Sequence, residues 1–148
     1  MKEDLIRRFF TGESSPVDLE ADFPGTVTVQ NPGKTPLVRH FHFQPMIGEF
    51  TVEPRHVIKL IDAALARELG LETLQTIAGW LDARPNLTFT WDGDGPEGER
   101  ISDAVFWLGT PEINYPLTPE VLTKIRHYVL TGENLLTQRD TKLPKAGA

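Results

Sequence analysis

The chain has 148 residues, no cysteine and a formal net charge of −6. That length suits one domain able to bury a core, and eight Phe with three Trp give it the apolar content of a globular protein. Without cysteine, disulfides, thiolate zinc sites and cysteine nucleophiles are excluded.

Lys and Arg are scattered apart from Arg7-Arg8, which argues against nucleic-acid binding. No apolar run reaches the length of a membrane span. The opening Met1-Lys-Glu-Asp-Leu-Ile-Arg-Arg is charged and lacks the apolar core of a signal peptide. A soluble, cytoplasmic protein is the expectation.

In chain order, a first helix is expected from about Lys2 to Thr11, with Leu5, Ile6, Phe9 and Phe10 on its apolar face and Gly12 as its stop. Ser15-Pro16 and Pro24-Gly25 mark Glu13 to Phe23 as a loop. Thr26 to Gln30 alternates as a strand, and Asn31-Pro-Gly33 is a turn. Leu37 to Gln44 is the next strand, with Leu37, Arg39, Phe41 and Phe43 on one face and Val38, His40, His42 and Gln44 on the other. Gln44-Pro45-Met46-Ile47 reads as a hairpin loop into a third strand. That register pairs Phe43 with Gly48, His42 with Glu49, Phe41 with Phe50 and His40 with Thr51.

A helix pair follows. Pro54 suits a first helical position, and Val57, Ile58, Ile61, Ala64 and Leu65 form its stripe, with Gly70 as its stop. Leu74, Ile77, Ala78 and Leu81 form the stripe of the second helix, which Arg84-Pro85 ends. Leu87 to Trp91 is a strand with Leu87, Phe89 and Trp91 inward. Asp92 to Arg100 is an acidic, glycine-rich loop, and Ile101 to Leu108 a strand apolar on both faces. Thr118-Pro119 opens a last helix that Gly132 ends. The sum is a single α+β domain over residues 1–137, with 138–148 a mobile C-terminal tail. It has a mainly antiparallel five-stranded sheet, helices mostly on one face, and element order α-β-β-β-α-α-β-β-α. That order is similar to the order in type III secretion chaperones, which are small, acidic, dimeric α+β proteins.

Three groups of residues carry candidate chemistry. His40 and His42 point the same way on one strand, and the hairpin register adds Glu49, a ligand set known for zinc or non-haem iron. The His-x-His is similar to that of cupin barrels, although the acid spacing differs and two consecutive helices are foreign to a cupin. Asp92, Asp94, Glu97 and Glu99 offer oxygen ligands on a loop, but Pro96 breaks the EF-hand pattern. The same loop spells G-x-G-x-x-G at Gly93, Gly95 and Gly98. With a strand expected to follow and four carboxylates present, it is no phosphate fingerprint. Asp103, mid-strand among apolar neighbours, is a candidate acid or base. His56 and His127 read as surface residues.

Trp80, Phe106, Leu108 and Tyr115 form the third group, aromatic and apolar side chains at positions that suit partner contacts. No serine lies in a G-x-S-x-G elbow, and no catalytic motif is present. The leading expectation is a non-enzymatic protein-binding or chaperone-like module, a homodimer that holds its protein partner with sheet surface or an edge strand, with no cofactor. The alternatives are a zinc- or iron-dependent enzyme or metal sensor on His40, His42 and Glu49, and a small-ligand pocket lined by Phe41, Phe50, Phe89 and Trp107.

Overall fold

The structure, a computed structural model, describes residues 1–34, 37–83 and 87–142. Its elements are α1 (Glu3–Phe10), α2 (Pro16–Asp22), β1 (Val27–Gln30), β2 (Val38–Phe41), β3 (Phe50–Thr51), α3 (Pro54–Leu65), α4 (Leu71–Ala83), β4 (Phe89–Thr90), α5 (Pro96–Gly109) and α6 (Pro119–Thr131). A single 3-10 turn, Gln138–Thr141, follows. The fold is α+β, but the expected five-stranded antiparallel sheet is not formed. Among the described residues there are two sheets of two strands each, β1 antiparallel to β2 and β3 parallel to β4. With one expected strand replaced by α5 and a helix, α2, formed in the expected loop, the element order no longer matches that of type III secretion chaperones.

Each correction has a local cause. Ile101 to Leu108 is the body of α5, not a strand. Ile101, Ala104, Val105 and Leu108 are all buried at spacings of three and four, which is the stripe of a helix. Pro96 in its first turn starts it. Glu13 to Phe23 contains α2. The Ser15 hydroxyl accepts from the Asp18 N–H at 3.3 Å, and the Asp18 carboxylate accepts from the Ser15 N–H at 2.9 Å, closing a capping box. The expected hairpin through Pro45 is absent because β3 pairs with β4 (Phe50 with Phe89, Thr51 with Thr90) rather than with β2. The chain after β2 instead pairs Gln44 with Lys2 at the start of α1.

Gly70 is not the stop of α3. The helix ends at Leu65, and Arg67 takes the left-handed conformation (φ 60°). Its geometry lets Glu68 N–H reach Ala63 C=O at 2.9 Å, the wrapped ending normally built on glycine. Gly70 instead precedes α4, where its N–H donates to Glu20 Oε1 at 2.6 Å and Thr73 Oγ1 donates to Glu20 Oε2 at 2.9 Å. Leu87 is exposed with φ 54° and points out of the core. The expected stop at Arg84-Pro85 lies outside the described residues. Gln138–Thr141, expected within the tail, is tied back to α6: buried Asp140 accepts from Lys124 Nζ at 3.0 Å and from the Thr137 N–H at 2.8 Å.

The core lies among α1, α3, α4, α5 and α6. α4 and α5 come close at Gly79 and Gly109, where a Cβ on Gly109 would sit 2.8 Å from the Gly79 Cα. Among the described residues one charged side chain is wholly enclosed. Glu3 is 0% exposed, and its carboxylate accepts from Trp80 Nε1 (2.7 Å), Thr88 Oγ1 (2.9 Å) and the Met46 N–H (2.9 Å). A buried carboxylate is tolerated only when such donors replace water.

Two stability predictions follow from this frame. Glu3→Ala strands three donors and is expected to cost about 3–5 kcal/mol, read as a lower urea midpoint with Trp80 fluorescence shifted. Arg67→Gly relieves the left-handed conformation and is expected to add about 0.5–1 kcal/mol, read as a raised midpoint in the same titration.

Candidate functional site

The surface of interest is the β1–β2 ribbon. β2 lies on the helical body because its inward side chains are anchored. The Phe41 ring packs against Gly79, where a Cβ would meet its Cζ at 2.9 Å, so a larger residue there would have to displace the ring. Phe43 stacks on Trp80, with ring centroids 4.5 Å apart. Arg39 forms a two-pronged ion pair with Glu112 at 2.8 and 3.1 Å and reaches the Gly109 carbonyl, at the end of α5, at 3.4 Å. Partial burial of Glu112 works against its charge, but the Arg39 hydrogen bond and charge outweigh it and hold the carboxyl below its usual value.

β1 is different. It pairs with β2 in the register Val27–Phe41, Thr28–His40, Val29–Arg39 and Gln30–Val38. Thr28, Val29 and Gln30 are all exposed, so both faces of this strand are open, while the inward face of β2 is covered. The outward face of the ribbon carries Val38, His40, Thr28 and His42, each exposed. This is the face assignment expected from the alternation of Leu37 to Gln44.

The metal-ligand triad is not assembled. His40 and His42 lie on the outer face, and Thr28 Oγ1 lies 3.0 Å from His42 Nε2. Glu49 precedes β3, whose partner is β4, so it does not stand opposite His42. Among the described residues no group of three or more His, Asp or Glu side chains is placed to hold a metal ion.

Of the expected partner-contact residues, Trp80 and Leu108 are core side chains at 9% and 0% exposure, which corrects their assignment to an interface. Phe106 is exposed on α5 at 40%. Tyr115 is half-buried, edge-on against Trp107. The expected ligand-lining rings fall into three separate groups. Phe50 and Phe89 join Phe10, Phe41 joins Phe43 and Trp80, and Trp107 joins Tyr115 and Tyr128. They do not enclose one cavity. A cleft of about 460 Å³ lies elsewhere, between α1 and α2, and is lined by charged side chains such as Asp4, Arg8 and Asp22.

Asp103 is on α5, where its carboxylate accepts from the Tyr128 hydroxyl at 2.5 Å. Burial and that hydrogen bond push the Tyr128 phenol up to about 12, so it stays protonated and is no nucleophile. A helix, α5, does follow Gly93-x-Gly95-x-x-Gly98, contrary to the expected strand. The glycine spacing has a packing reason: a Cβ on Gly98 would fall 1.2 Å from the Asp92 carbonyl oxygen.

His56, expected on the surface, is buried at 4%. Its ring lies between Phe10 and Phe50, with centroids 5.1 and 5.0 Å away, and its Nδ1 accepts from the Glu53 N–H at 2.8 Å. The signal was its place one residue before Val57 and four before Leu60, on the buried side of α3. Glu3 carried a similar signal, lying three residues before Ile6 and seven before Phe10.

No family model matches the chain, and neither the curated proteins nor the solved structures contain a match. Among the described residues no helix is long and apolar enough to cross a membrane.

Burial lowers the pKa of His56 below the ordinary 6.5, with Arg55 adding to the effect. The unfolded chain then binds a proton more readily than the folded one. Stability is therefore expected to fall as pH drops from 6.5 towards the depressed value, and to be indifferent to this group above 6.5. Urea midpoints across that window, compared with a His56→Gln variant that cannot titrate, should show a shallower slope in the variant.

Proposed function

We propose that this chain is a non-enzymatic protein-binding module, and that its docking element is the β1–β2 ribbon. One observation carries the reading. β2 is fixed to the helical body through Arg39, Phe41 and Phe43, while β1 is exposed from Thr28 to Gln30. A rigidly held strand with an open edge is what strand addition by a partner needs, since main-chain hydrogen bonds supply affinity and alternate side chains supply specificity. No further strand lies beside β1 or β2 among the described residues. The chain's charge of −6 also suits a protein partner far better than a polyanion.

The test is positional. A photo-crosslinking residue placed at Thr28 or Val38 is expected to trap a defined protein species in cells. The same residue at Val17, exposed at 72% on α2, is expected to trap none. Capture from Val17 but not from the ribbon would remove the ribbon as the docking element.

A further inference from the structure

Resting on that reading of the ribbon, we infer that the partner of the β1 edge is a second copy of this chain. The two β1 strands pair antiparallel about a twofold axis at Thr28, giving one four-stranded sheet across two protomers.

The backbone sets which groups face outward. The His42 N–H donates to the Thr26 carbonyl at 2.7 Å. Alternation along an antiparallel pair then turns the N–H and C=O of Thr28 towards β2 and those of Val27 and Val29 away from it. Exposed edges in monomeric proteins are guarded by charge, proline or a bulge. Thr26-Val-Thr-Val-Gln30 contains no charged residue and no proline. The other strand of the ribbon carries Arg39 and His40 and has its inward side chains locked on α4 and α5. The unguarded edge is therefore β1.

Its sequence is complementary to itself. In an antiparallel pairing centred on Thr28, Val27 stands opposite Val29 of the second copy and Val29 opposite its Val27. Thr28 meets Thr28, and the side-chain pairing ends there, because Thr26 is buried within its own protomer. Every pair is apolar with apolar or polar with polar, the arrangement that stabilises cross-strand neighbours. A twofold contact of this kind closes on itself, because the same patch serves both protomers.

Charge points the same way. Two copies of charge −6 repel, so the contact that brings them together with least opposition uses an uncharged segment. Apolar surface also lies beside the edge. Val29 is 39% exposed and is the cross-strand neighbour of Arg39. The Arg39 side chain reaches Glu112, next to Ile113, which is 70% exposed, and the end of α5, one turn beyond Phe106.

The experiment is sedimentation of the full chain over a wide concentration range, with variants. Wild type is expected to be a dimer. Val29→Lys, with the far-UV circular dichroism of the wild type as the check on its fold, is expected to weaken the dimer about tenfold or more. Val17→Lys is expected to leave it intact. Because the chain has no cysteine, Thr28→Cys supplies a single thiol. Directly opposed strands place the two Cα atoms about 4.5 Å apart across the axis, within disulfide reach. Rapid oxidation to a covalent dimer is expected for Thr28→Cys and not for Val17→Cys. A wild type that is monomeric throughout, or a dimer untouched by Val29→Lys, overturns the self-pairing. A monomer whose ribbon crosslinks to a different protein overturns it while leaving the ribbon as a docking element. A monomer with no ribbon crosslinks removes both.

Discussion

The constraint on which the rest depends is the sealed carboxylate of Glu3. Its three donors come from three separate parts of the chain: the Trp80 indole on α4, the Thr88 hydroxyl beside β4, and the Met46 N–H between β2 and β3. None of these donors is charged, so the group is not an ion pair. Three dipoles from three segments converge on it instead, and so tie those segments together. That matters because β3 and β4 are two residues each, too short to fix their own register. The clamp fixes it for them, holding Thr88 and Met46 to α1 while Phe50 and Phe89 pack on Phe10.

From Glu3 the order passes outward by contact. It holds the Trp80 indole, Trp80 stacks on Phe43, and Phe43 lies two residues past the Phe41 that fills the notch at Gly79. The helix crossing at Gly79 and Gly109 thus serves two ends: it lets α4 and α5 touch and leaves a seat for β2. β1 has no such seat and is held by its ladder to β2 and by Thr26, which is buried. The ribbon is therefore stiff on one side and open on the other, which is the asymmetry a docking edge requires.

How much of this was legible in the sequence depended on whether one signal stood alone or competed with another. The ends of α3 and α6 marked by Pro54, Thr118 and Gly132 were legible, because proline and glycine there act through backbone sterics that no tertiary contact reverses. The alternation through Val38, His40 and His42 was legible too. Ile101 to Leu108 was not, since Ile, Val, Phe and Trp favour strands and their alternation masked the three-and-four spacing of Ile101, Ala104, Val105 and Leu108. Ser15-Pro16 is both a turn signal and a helix start, and Asp18 three residues after Ser15 was the deciding residue. What could not be read was pairing at a distance. Whether β3 meets β2 or β4 is decided by Glu3 and the aromatic cluster around Phe10, and no local pattern encodes it.

The glycine-rich loop shows why a site must be argued from its surroundings rather than its spelling. With α5 behind it and β4 before it, Gly93 to Gly98 has the strand–loop–helix setting of a nucleotide fingerprint. Yet Gly98 is needed for the Asp92 carbonyl to pass, so one of the three glycines is explained by the chain's own close approach. Asp92, Asp94, Glu97 and Glu99 are all exposed around it, and Glu97 and Glu99 occupy the first turn of α5. Their charge already satisfies the positive end of the helix and would repel a phosphate. The acidic turn at this end thus contrasts with the edge of β1, where Thr26 to Gln30 carry no charge and contact between two acidic molecules is least opposed.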